Sequence, residues 1–126
     1  MLKKIDHLVI TTADPSKCLP FYEALGFEIR EDGACYALFA GDFKINVHVL
    51  GHEIAPHAAA IQPGSADLCF EVEVALDELL SKLARRGIHS ETGPVRRHGV
   101  RGEMRSFYLR DPDGNLIELC DYAGQS

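Results

Sequence analysis

Residues 6–10 read DHLVI and residues 66–70 read ADLCF. In both, apolar and polar side chains alternate with the period of a half-buried strand. A motif written twice in one chain sets the architecture, because each copy marks the start of one structural repeat. The segments downstream of the two copies also match, so the second half of the chain restates the first.

After each strand comes a helix pattern. The first helix has Asp14 as N-cap and Pro15 at its first position, with Cys18, Phe21, Tyr22 and Leu25 on one face. The second places Leu76, Leu79, Leu80 and Leu83 at the same spacing. Gly26 and Gly87 stand where a left-handed residue ends a helix, each with an apolar residue directly after.

Three β-prone stretches complete each half. They are residues 27–30, CYALFA (35–40) and FKINVHVL (43–50) in the first, and residues 88–91, RSFYLRD (105–111) and NLIELCDY (115–122) in the second. The turns AGD and DPDG join the last two of each set. The pattern predicts a single domain over residues 1–126, with a first βαβββ module over about residues 4–50 and a second over about 66–122. Residues 51–65, rich in Gly, Pro, Ala and Ser, are expected to be a linker.

The bulk composition narrows the function. With 126 residues, 46% of them hydrophobic, the chain can bury a core without disulfides or a structural metal. A net charge of −6 argues against nucleic acid, which selects for basic patches. No apolar run approaches the roughly 20 residues that span a bilayer, and the opening MLKKIDHLV lacks the apolar core of a signal peptide. A cytoplasmic protein is therefore expected. Cys18, Cys35, Cys69 and Cys120 have no metal-type spacing and are expected to be reduced core residues.

Alternation within each strand sorts the side chains into two faces. In DHLVI, His7 and Val9 oppose Leu8 and Ile10; in ADLCF, Asp67 and Cys69 oppose Leu68 and Phe70. In KINVHV, Lys44, Asn46 and His48 oppose Ile45, Val47 and Val49; in LIELC, Glu118 and Cys120 oppose Ile117 and Leu119. His7 and Asp67 are thus repeat equivalents, as are Asn46 and Glu118.

If the two sheets curl toward a common concavity, these groups converge as ligands for a divalent ion, and two histidines with one carboxylate are a common open catalytic set. Simpler roles exist for each. His7 fits a hydrogen-bonded structural histidine, His48 a strand-edge surface residue, and Asp67 a solvated strand start. Glu118 fits them worst, because a carboxylate among Leu, Ile and Cys needs a partner.

Together, HLVITTADP, FYEALGFE, GSADLCFEV and YLRDPDGNLIEL resemble the vicinal oxygen chelate superfamily of glyoxalases, bleomycin-resistance proteins and extradiol dioxygenases. The resemblance runs from Ile5 to about Tyr122. It implies an α+β fold of two βαβββ modules forming a curved, cupped mixed sheet, and a homodimer in which ligands of one chain meet those of the other. It places the family's metal-binding glutamate on Glu118 and its first histidine on His7.

The other two ligand positions, often Glu or Gln and usually His, fall on Asn46 and Asp67, with His48 standing in for the missing histidine. The implied cofactor is a divalent ion, Zn, Ni, Mn or Fe. The metal set on this view is His7, His48, Asp67 and Glu118, with Asp67 and Glu118 also the candidate catalytic groups and Asn46 facing the substrate.

Between GPV and SFYLRD lies RRHGVRGEMR, whose Arg96, Arg97, Arg101 and Arg105 gather in an acidic chain. It is expected to be either a solvated loop or a lid that recognises an anionic substrate or thiol cofactor. Arg105, Tyr108 and Tyr122 are the substrate-lining candidates. The function expected is a metal-dependent lyase or isomerase acting on a small substrate with vicinal oxygens. The alternatives are an Fe(II) extradiol-type dioxygenase and a metal-free drug-sequestering protein.

Overall fold

The computed structural model describes residues 1–122. The element order is β1 (His7–Thr12), α1 (Pro15–Ala24), β2 (Glu28–Asp32), β3 (Cys35–Ala40), β4 (Phe43–Val49), β5 (Asp67–Glu71), α2 (Leu76–Arg85), β6 (Thr92–Gly99), β7 (Gly102–Arg110) and β8 (Leu116–Asp121). This is βαβββ twice, an α+β fold. Each half forms a four-stranded mixed sheet, β1-β4-β3-β2 and β5-β8-β7-β6, in which the first and last strands of the repeat run parallel side by side. No helix among the described residues is long and apolar enough to cross a membrane.

The chain divides into two compact units. One is Met1–Ala66 with Pro112–Gly114, and the other is Asp67–Asp111 with residues 115–122.

In the first unit, Asp14 caps α1 as its sequence position predicts. Its Oδ1 accepts from the Ser16 backbone N–H at 3.0 Å and from Ser16 Oγ at 2.6 Å. Helix α1 turns Cys18, Phe21 and Tyr22 into a core that includes Ile10, Leu38, Ile45 and Val47. Edge-to-face ring contacts link Phe21, Tyr22, Phe27 and Phe43 in sequence. The turn supplied by residues 112–114 is held to the end of β1, where Asp113 accepts from Thr12 Oγ1 at 2.6 Å and from the Ala13 N–H at 2.9 Å.

In the second unit, Leu76, Leu79 and Leu83 of α2 are buried with Phe107, Leu109, Ile117 and Leu119 of the sheet. Ala75 cannot cap α2, so the cap comes from the end of β8: Asp121 Oδ2 accepts from the Leu76 N–H at 3.2 Å. The DPDGN turn closes on itself, with Asp111 accepting from the Asn115 N–H at 2.9 Å and from Asn115 Nδ2 at 2.7 Å.

Both helices end in the same way. Phe27 N–H donates to Tyr22 O and Gly26 N–H to Glu23 O; Ile88 N–H donates to Leu83 O and Gly87 N–H to Ala84 O. Gly26 and Gly87 have φ of 107° and 80°, the left-handed residue of a Schellman motif.

Two expectations from the sequence fail. The first strand after α2 is Thr92–Gly99, not residues 88–91, and the arginine-rich segment is the β6–β7 hairpin instead of a loop or lid. Pro94 hid this strand. It lies on the sheet's edge, where a missing N–H breaks no ladder, beside a register shift between Thr92 and Val95. Gly93 is needed at that bulge, since a Cβ there would lie 2.6 Å from Ser106 O and its φ is 105°. In addition, all four cysteines are outside disulfides, but only Cys18, Cys35 and Cys120 are buried, while Cys69 is exposed.

Candidate functional site

Strand pairing fixes which side chains share a face. In the first unit, His7 pairs with Lys44, Val9 with Asn46 and Thr11 with His48, so these six stand together on the face away from the α1 core. His7 is exposed, and its Nδ1 lies 2.8 Å from Asp6 Oδ1. That hydrogen bond, more than the charge of the imidazole, holds the Asp6 carboxyl below the usual carboxylate range. It also orients the ring and leaves Nε2 directed elsewhere, the usual support of a ligating histidine.

The register separates the two histidines. His48 lies opposite Thr11, four residues beyond His7, which at about 3.3 Å per residue is about 13 Å along the strands. Two side chains standing parallel off one sheet at that spacing cannot both bond one ion at about 2.0–2.1 Å. His7 and His48, both metal candidates in the sequence, thus stand at separate points along the same face. Asn46, offset from His7 by two residues, is the nearer β4 group.

The second unit repeats this geometry. Asp67 pairs with Leu116 and Cys69 with Glu118 across β5 and β8, and Tyr108 lies opposite Glu118 across β7 and β8. Cys69, Glu118 and Tyr108 thus form a row on the face away from α2, with the exposed Asp67 one step along β5. Glu118 Oε2 is buried without a hydrogen-bond partner. An anionic oxygen in that state calls for a cation or a proton.

Cys69 Sγ is 3.7 Å from Cys120 Sγ. Although the residue is exposed, its sulfur lies against Cys120 and Glu118. Desolvation first, then the neighbouring Cys120 and Glu118, push the Cys69 thiol well above its ordinary range.

Of the three substrate-lining candidates, Tyr108 shares the Glu118 face. Tyr122 continues it beyond the end of β8, with its ring 4.1 Å from the Arg101 guanidinium. Arg105 does not share it. It sits an odd number of residues from Tyr108 on β7, so it points to the helix side and pairs with Asp77 of α2 at 3.2 Å. Two arginines share the Glu118 face by alternation: Arg110, opposite Leu116 and paired with Glu91 at 3.1 Å, and Arg97, opposite Met104, whose Nε donates to the Tyr108 hydroxyl at 2.9 Å. Reading TGPVRRHG as a strand would have exposed this alternation in the sequence.

Among the described residues, no three His, Cys, Asp or Glu side chains are grouped so as to hold a metal ion. The donors fit a divalent ion in kind, imidazole Nε2 and carboxylate, and Glu118 Oε2 lacks the partner that such an ion would provide.

Known proteins fix the family. Residues 4–119 match the model of the Glyoxalase/Bleomycin resistance protein/Dioxygenase superfamily. The chain is 44% identical over 124 residues to the virulence protein STM3117 of Salmonella typhimurium, covering 97% of this chain and 86% of that one. The crystal structure of that protein superposes with a TM-score of 0.93 over 97% of this chain and 98% of that one. The chain is also 43% identical to the glyoxalase domain-containing protein RDO1 of Mycosarcoma maydis, over 96% of this chain and 69% of the relative. The fold is shared with the lactoylglutathione lyase of Agrobacterium tumefaciens at a TM-score of 0.75, with 18% identity and coverage of 100% and 98%. The chain belongs to the Glyoxalase/Bleomycin resistance protein/Dioxygenase superfamily, that of the vicinal oxygen chelate fold.

Proposed function

We propose that this protein is a metal-dependent, glyoxalase-like lyase or isomerase acting on a small molecule with two adjacent oxygens. The observation that carries the reading is the buried, unbonded Oε2 of Glu118, at the position matching the family's metal-binding glutamate. A divalent ion, Zn, Ni, Mn or Fe, supplies Lewis-acid stabilisation of charge developing on the substrate oxygens. Glu118 holds that ion from β8. His7, oriented by Asp6, offers Nε2 from β1.

Asp67 is the candidate general base. Its carboxylate is exposed and two residues along β5 from the Glu118 row, free to take a proton from the carbon beside a substrate carbonyl. Asn46, repeat-related to Glu118 but neutral, is suited to hydrogen-bond a substrate oxygen instead of binding a cation. Each unit thus offers a half-set of polar groups, and a cytoplasmic homodimer in which two copies contribute half-sets completes the coordination.

A second reading, a metal-free sequestering protein, is favoured by Asn46, a neutral amide at the position repeat-related to Glu118, and by Asp67, where the family usually has a histidine. The two readings are separated by incubating metal-loaded protein in deuterium oxide with hydroxyacetone and tracking the carbon-bound protons by NMR. Exchange that is lost in Asp67→Asn supports the lyase or isomerase. Oxygen uptake with catechol in place of exchange assigns an Fe(II) dioxygenase, and binding without turnover assigns sequestration.

A further inference from the structure

The β6–β7 hairpin carries five arginines, and four are neutralised by acids. Arg96 pairs with Glu103 at 3.6 Å, Arg101 with Glu71 at 2.8 Å, Arg105 with Asp77 at 3.2 Å and Arg110 with Glu91 at 3.1 Å. Arg97 pairs with no carboxylate among the described residues. Its bonds run from Nε to the Tyr108 hydroxyl at 2.9 Å and from Nη1 to the Arg96 carbonyl at 2.8 Å. Its guanidinium lies 5.4 Å from the Tyr108 ring centroid.

Two neutral acceptors and a ring face therefore fix the orientation of this guanidinium without cancelling its charge, and Nη2 makes no hydrogen bond within the described residues. Register puts it on a defined face. Arg97 is opposite Met104, Tyr108 is an even number of residues farther along β7 on that same side, and Tyr108 is directly across from Glu118. A fixed, uncompensated guanidinium is suited to a carboxylate or phosphoryl group, which it can grip by two N–H donors.

We infer that Arg97, positioned by Tyr108, is the anion-recognising residue of the Glu118 face, and that the natural ligand is a small molecule carrying a carboxylate or phosphoryl group. This deepens the reading of Glu118 as a cation ligand and rests on it for the reaction, but the anion contact itself belongs to Arg97. Tyr108 is a positioning residue: it holds the guanidinium by its hydroxyl and ring.

The test uses metal-free protein labelled with nitrogen-15, titrated with inorganic phosphate or acetate, with chloride at equal ionic strength as the control. Arginine side-chain resonances are monitored by NMR, the Arg97 signal being the one absent from Arg97→Met. The expected result is a saturable shift of Arg97 Nε–Hε. Binding falls about tenfold or more in Arg97→Met, as loss of a charge-assisted hydrogen bond predicts. Arg97→Lys retains part of it, and Tyr108→Phe weakens it with Arg97 present.

Tighter binding of phosphate assigns a phosphoryl ligand, and tighter binding of acetate a carboxylate. Glu118→Gln must leave the anion shift in place, so failure of the metal reading does not disturb this result. A shift that chloride reproduces, that does not saturate, or that survives unchanged in Arg97→Met overturns the inference.

Discussion

Glu118 and Cys69 are register partners on the parallel strands β8 and β5, side by side on the face opposite α2. The pairing sets a carboxylate with one unbonded buried oxygen beside a thiol that is itself packed against a second thiol. Both groups are shaped by that neighbourhood. The carboxylate needs a counter-charge, and the thiol resists losing its proton.

Cys69 should accordingly be a slow thiol despite its exposure. Alkylation by iodoacetamide, mapped by peptide mass spectrometry, is expected to lag behind a free cysteine peptide at neutral pH and to rise only in strong alkali. Glu118→Gln removes an anion that opposes the thiolate, so Cys69 should react faster in that variant. The same shift has a sign for stability. The unfolded thiol ionises near its ordinary value of 9.0 while the folded one stays protonated, so this contribution is intact below pH 9.0 and is lost as pH rises beyond it. Alkylation of Cys69 at the rate of a free peptide at pH 7 contradicts this.

Asp121→Ala should destabilise the second unit. The Leu76 N–H at the start of α2 loses its acceptor, and with no cap available from Ala75 the cost is about 0.5–2 kcal/mol. Urea denaturation should show a lower midpoint at unchanged slope. An unchanged midpoint means that the cap contributes nothing.

Pro20→Ala should stabilise the first unit. Pro20 is exposed in the interior of α1, where its ring removes a helix hydrogen bond and no buried contact compensates. Relief of a proline in a helix interior is worth up to about 3 kcal/mol, and thermal unfolding should shift upward. A fall in the unfolding temperature contradicts the prediction.

These features were not equally legible in the sequence. The repeat of DHLVI in ADLCF, the Asp14 cap and the Gly26 and Gly87 helix ends could be read directly, because each depends on residues close together in the chain. The cap of α2 could not, since Asp121 reaches Leu76 from a strand far along the sequence. Strand β6 was hidden by Gly93 and Pro94, which signal a turn anywhere except at a bulged edge. The opposite faces of Arg97 and Arg105 follow from β6 and its register with β7, which RRHGVRGEMR does not display without that strand. The separation of His7 from His48 is likewise a matter of register between two strands, which alternation within each strand does not specify.

Compensation of Glu118 by a divalent cation is open to a single decisive assay. The untagged protein and its Glu118→Gln variant are purified, each is reconstituted with Zn, Ni, Mn and Fe(II), and bound metal per chain is measured by elemental mass spectrometry. Near-stoichiometric metal is expected in the wild type, with its loss in the variant. Wild-type protein that holds no metal after reconstitution, or a Glu118→Gln variant that holds as much as the wild type, contradicts a cation at Glu118.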